Sequence, residues 1–129
     1  IVPTLYVLEK RFGIEKGHIE SIHAFTNDQN LTDNYHKKPR RGRSAPMNMV
    51  ITSTGAGSAA AKAIPSLKGK LTANAARVPT PNVSLALLSI TLKDSTSKKE
   101  VDAVMKDAAL SVSLVEQIRY SASNESVST

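Results

Sequence analysis

The chain has 129 residues, a formal net charge of +6 and 40% apolar residues, enough for one domain with one core. Aromatics make up 4% and Trp is absent, so that core is aliphatic; the absence of cysteine excludes disulfides, thiolate metal sites and a thiol nucleophile within these residues. No apolar run approaches the roughly 18 residues that a membrane span requires, and no basic leader precedes Ile1-Val2-Pro3, so the expected setting is cytoplasmic.

Residues 1–12 are predicted to be a helix. Pro3 suits an early helical position, Val2, Leu5, Leu8 and Phe12 recur near the 3.6-residue period, and Gly13 supplies the stop. Gly17 is read as a turn. Residues 18–25 then alternate as a strand, with Ile19, Ser21 and His23 on one side and His18, Glu20, Ile22 and Ala24 on the other. Residues 26–46 are polar and basic without periodicity, a connection long enough to be either functional or disordered. Met47–Thr52 is read as a short strand. An alanine-rich helix follows to Ile64, capped by the Ser/Thr before it and ended by Pro65. Two strands, Leu67–Val78 and Val83–Leu92, flank Pro79-Thr-Pro81. Ser97-Lys-Lys-Glu100 is a capping box, which starts a helix over 98–109 with Val101, Val104, Met105 and Ala108 as its apolar face. Residues 112–129 are weakly patterned, with a helical turn expected at 113–117 and an extended tail. This order implies an α+β fold, with helices on one face of a mixed or antiparallel sheet.

The positive charge is local. Residues 36–43, His-Lys-Lys-Pro-Arg-Arg-Gly-Arg, carry five of the seventeen Lys and Arg residues, which points to an anionic partner at a site. Nucleic acid is one such partner, but no aromatics interleave the basic residues to stack bases, and Pro39 and Gly42 break any helical reader. Four further features suit a phosphate. His23 is a candidate proton acceptor near a strand end. Thr54-Gly55 opens a helix, where free N–H groups and a hydroxyl meet an anion. Arg41 in the basic loop and Arg77 beside the proline turn can each offer a guanidinium fork. Each residue also has a plain structural reading, as strand histidine, helix cap or surface cation. Asp28, Glu20 and Glu100 give no carboxylate pair, His18, His23 and His36 lack metal-ligand spacing, and no glycine-rich phosphate loop is read after a strand.

Taken in order, Ile22-His-Ala-Phe-Thr26-Asn-Asp28-Gln29, Arg40-Arg-Gly-Arg43, Thr52-Ser-Thr-Gly55, Leu67-Lys-Gly-Lys-Leu71 and Arg77-Val-Pro-Thr-Pro-Asn-Val83 resemble the phosphorylating glyceraldehyde-3-phosphate dehydrogenase family over nearly the whole chain. The resemblance implies part of the family's catalytic domain, spanning 1–129, with 26–46 as its S-shaped loop and the dinucleotide-binding domain upstream. It implies that His23 is the base paired with a nucleophilic cysteine about five residues before Ile1. Thr26 and Arg77 would hold the C3 phosphate of the substrate, and Arg41, Thr54 and Gly55 the attacking inorganic phosphate or the same substrate phosphate at another stage. NAD or NADP would be bound mainly by the upstream domain, the intact enzyme would be a homotetramer, and these residues alone would have no dehydrogenase activity. Both ends are read as cuts in a longer protein. Erythrose-4-phosphate dehydrogenases are similar too, but that branch usually departs at the positions of Thr26 and Thr54-Gly55. Ser58 stands where the family often has Lys, with Lys62 one turn on, which leaves the branch and the dinucleotide open.

Overall fold

The computed structural model of the chain describes residues 1–125. Three α-helices and four strands occur in the order α1 Val2–Phe12, β1 Ile14–Ala24, β2 Val50–Thr52, α2 Ala56–Ala63, β3 Leu71–Val78, β4 Ser84–Leu92, α3 Lys98–Leu110. The strands form one sheet in the order β2-β3-β1-β4. β2 runs antiparallel to β3, pairing Val50 with Arg77 and Thr52 with Ala75. The α+β class expected from the sequence is what the chain adopts.

The residues form two compact units. One contains Ile1–Gly17, Ser58–Leu71 and the described residues from Ser89. Its core is aliphatic: Leu5, Ile14 and Leu67 have no solvent exposure, and Val7, Leu8, Phe12, Ala60, Ile64 and Ile118 are buried around them. The stripe Leu5, Leu8 and Phe12 is the 3.6-residue pattern put to use, and α1 packs against α3. Ser97 caps α3 as expected, its Oγ accepting from Glu100 N while the Glu100 carboxylate accepts from Ser97 N at 2.8 Å. No α3 residue is fully buried, so Val101, Val104, Met105 and Ala108 form a face that is only half covered. The expected turn at 113–117 is present, with Val115 N donating to Ser111 O and Ile118 N to Leu114 O at 2.9 Å each. The end of the extended tail, from 126, lies outside the described residues.

Gly17 corrects the sequence reading. It is not a turn but an interior position of β1, which begins at Ile14. A Cβ there would come within 2.5 Å of Ile90 Cδ1 and 3.1 Å of Leu71 Cδ2, so glycine is present because side chains from β3 and β4 close over it. Likewise β2 begins at Val50, because Ala45–Met47 forms a 3₁₀ turn, and β3 begins at Leu71, because Pro65–Leu67 does the same.

Glu9 ties the first unit together electrostatically. Its carboxylate accepts from Ile14 N at 2.5 Å and Ser66 Oγ at 2.6 Å, with Lys70 Nζ at 3.7 Å. The hydrogen bond from Ser66 is the largest influence and, with Ile14 and Lys70, outweighs burial, holding this carboxyl below its ordinary value of 4.5. A lowered folded value means that the ionised form stabilises the fold above about pH 4.5 and that this stabilisation is lost as pH falls through the lower folded value. Glu9→Gln is therefore expected to lower the thermal midpoint near neutral pH, with the gap from wild type closing below about pH 4.5. A gap that stays constant between pH 6 and 3 would contradict this linkage.

Candidate anion site and base

The second unit contains His18–Gly57 and Thr72–Leu88, and with them all six residues singled out from the sequence: His23, Thr26, Arg41, Thr54, Gly55 and Arg77. The loop 26–46 is ordered by its own backbone rather than by a sheet. Asn30 N donates to Arg41 O at 3.1 Å, Ala45 N to Asn30 O at 2.9 Å and Asn34 N to Gly42 O at 2.9 Å. At this last crossing a Cβ on Gly42 would lie 2.3 Å from Asn34 O, so no larger residue fits. The Asp33 carboxylate adds a brace, accepting from Ser44 N at 2.8 Å and from Arg43 Nε at 3.2 Å. Chiefly the Ser44 N–H, and then Arg43, lower its pKa.

This folding sorts the basic run. Lys37, Lys38, Arg40 and Arg43 are exposed, as a solvated charge run would be, whereas Arg41 is buried. It sits in a 3₁₀ turn, Pro39–Gly42, that packs on β2. Its Nε donates to Thr52 Oγ1 at 3.0 Å, and its Nη1 is bonded to Asp28 Oδ2. Arg77 reaches the same carboxylate from β3, Nη1 lying 3.9 Å from Asp28 Oδ2. Both guanidinium side chains are nearly enclosed, at 11% and 14% exposure, while Asp28 is 47% exposed. Burial, and then the nearby Arg41 charge, lower the Arg77 pKa. Two desolvated cations therefore share one carboxylate that remains open to solvent, an arrangement that gains from a further anion.

Sequence reading left Asp28 unpaired and gave His36 and Gln29 no role. The structure places all three in this cluster. His36 Nε2 is 3.5 Å from Asp28 Oδ1, and Gln29 Oε1 accepts from Arg77 Nη1 at 3.3 Å. Both the N–H and the carbonyl of Lys38 approach His36 Nδ1, at 2.9 Å and 3.1 Å, which holds the ring with Nε2 facing the carboxylate. The signal available was the dipeptide Asp28-Gln29 two residues after Thr26. Gln29 N donates to Thr26 O at 2.9 Å, and this turn carries Thr26 into the same segment as the two residues that meet the arginines.

His23 stands at the next-to-last position of β1 and is half-buried. Its Nδ1 lies 2.5 Å from Ala24 O, and because a carbonyl only accepts, Nδ1 carries the proton and Nε2 is the ring's acceptor. The Ala24 peptide is itself held, its N–H donating to Val83 O at 3.1 Å. Val83 has φ 65°, a left-handed conformation costly for a β-branched residue, at the end of the proline turn. Thr54 is engaged separately: its Oγ1 accepts from Ala56 N at 3.2 Å at the start of α2, while Gly55 beside it is exposed.

Gly55-Ala-Gly57 follows β2 and opens α2. It is still not a dinucleotide cradle, because that fingerprint belongs to a parallel βαβ unit and β2 is an antiparallel partner of β3. Among the described residues no group of three or more His, Cys, Asp or Glu could hold a metal ion, and no helix is long and apolar enough to cross a membrane.

Comparison with known proteins shows the family. The family model for the glyceraldehyde 3-phosphate dehydrogenase C-terminal domain matches residues 1–129. A glyceraldehyde-3-phosphate dehydrogenase-like protein of Pseudomonas aeruginosa is 55% identical over 129 residues, covering 100% of this chain and 28% of the relative. Glyceraldehyde-3-phosphate dehydrogenase of Clostridium pasteurianum is 48% identical over 111 residues, 84% of this chain and 33% of the relative. Glyceraldehyde-3-phosphate dehydrogenase 1 of Bacillus subtilis is 46% identical over 109 residues, 84% of this chain and 32% of the relative. The chain thus spans a third or less of the curated relatives it matches, and it belongs to the glyceraldehyde 3-phosphate dehydrogenase C-terminal domain family.

Proposed function

We propose that the full-length protein containing this chain oxidises D-glyceraldehyde 3-phosphate with NAD or NADP and inorganic phosphate, giving 1,3-bisphosphoglycerate. The observation that carries this reading is the pair of desolvated guanidiniums, Arg41 and Arg77, sharing one half-open carboxylate in the unit that also contains His23.

In this reading His23 accepts a proton at Nε2 while Ala24 O holds Nδ1, and the same imidazolium stabilises the thiolate of a cysteine upstream of these residues. Thr26 and Arg77 bind the C3 phosphate. Arg41, Thr54 and Gly55 bind the attacking phosphate, or the substrate phosphate at another stage. Fixing both anions orients the aldehyde carbon toward the base and the nucleophile, which lowers the entropic part of the barrier. NAD or NADP is bound mainly by residues outside this chain. A cytoplasmic homotetramer is the assembly proposed for the intact enzyme.

The test is direct. Full-length protein is expected to reduce NAD or NADP only when an aldehyde is supplied, most efficiently glyceraldehyde 3-phosphate, with sustained turnover dependent on inorganic phosphate. No reduction of either dinucleotide, or a rate indifferent to phosphate, would reject the reading.

A further inference from the structure

The charges around Arg77 do not cancel. Arg41 and Arg77 face a single carboxylate, Asp28. Against this unbalanced pair lies Gln29, only 6% exposed. A guanidinium can only donate, so the 3.3 Å bond from Arg77 Nη1 determines which end of the amide is the oxygen. That choice turns Nε2 into the interior, where it is buried without an acceptor. An orphaned buried donor is costly, and native proteins rarely keep one.

Glutamate, the acidic isostere, would add a negative charge against Arg77 and enclose a carboxylate oxygen where Nε2 now lies. The amide keeps the bond to Arg77 without that charge. We propose that Gln29 is a positioning and specificity-determining residue, whose neutral amide aims the Arg77 guanidinium without neutralising it and so reserves the excess charge for a substrate phosphate. The inference rests on the reading of Arg77 given under Proposed function. It adds the reason why the residue beside Arg77 is an amide.

The experiment compares Gln29→Glu and Gln29→Met in the full-length protein. The readout is the preference for glyceraldehyde 3-phosphate over unphosphorylated glyceraldehyde, as a ratio of kcat/KM. Gln29→Glu is expected to lower that preference by about tenfold or more, through KM for the phosphorylated aldehyde. Gln29→Met keeps the size and neutrality but loses the bond to Arg77, and is expected to lower the preference less. A fall under tenfold in Gln29→Glu, or an equal fall in Gln29→Met, overturns the proposal while leaving the dehydrogenase reading intact. A wild-type protein with no preference for the phosphorylated aldehyde overturns both.

Discussion

Full-length protein carrying His23→Asn is expected to lose about 10²–10⁴-fold in kcat while still binding NAD or NADP. Asparagine is the informative replacement. Its side-chain amide can still donate to Ala24 O, the bond that the histidine makes at 2.5 Å, so the local backbone has no reason to move. It cannot accept and return a proton near neutral pH, nor offer a cation to a neighbouring thiolate. Two measurements separate these roles. Dinucleotide binding should match wild type, because no part of that site is assigned to β1. Alkylation of the cysteine proposed to lie upstream should slow at neutral pH, because its thiolate would have lost its imidazolium. Turnover within a fewfold of wild type would remove His23 from the mechanism.

The second large effect is expected at Arg77. Hydrogen bonds to charged groups contribute about 1.5–3 kcal/mol, so Arg77→Leu should raise KM for glyceraldehyde 3-phosphate by roughly 10- to 100-fold. The site explains why the loss falls on the phosphate. Arg77 is nearly enclosed, and burial and Arg41 both oppose its charge, so it has more to gain from an anion than an exposed arginine would. Asp28 keeps its bond to Arg41, so the loop retains its anchor to the rest of the cluster. Arg77→Lys restores the charge but not the fork that meets Gln29 and a phosphate together, and should recover only part of the affinity. Steady-state kinetics with the phosphorylated and unphosphorylated aldehydes checks this. Equal losses on both would show that Arg77 acts on the fold rather than on the phosphate.

Much of the architecture was legible locally. The Leu5, Leu8, Phe12 spacing, the Ser97–Glu100 capping box and Pro65 act within a few residues, and each works through neighbours in sequence. Gly17 shows where such reading fails. A glycine after a helix stop has the same local appearance whether it turns the chain or sits in a strand, and what decides it is Ile90, more than seventy positions away, closing over it. The starts of β2 and β3 failed for a related reason, since an apolar residue in a 3₁₀ turn and one in a strand look alike.

The candidate site divides in the same way. Sequence alone determined which chemical groups are available: an imidazole near a strand end, a helix opening with Thr54-Gly55, and arginines at 41 and 77. These follow from residue type and from motifs read in order along the chain. Only the tertiary structure decided which of the loop's cations is buried, that Asp28 stands between Arg41 and Arg77, and that Gln29 and His36 belong with them. Those outcomes depend on the loop crossing itself at Gly42 and on β2 and β3 pairing antiparallel. The physical reason is that desolvation and the pairing of charges are properties of distance in space, and residues 28, 41 and 77 acquire that proximity only when the chain folds.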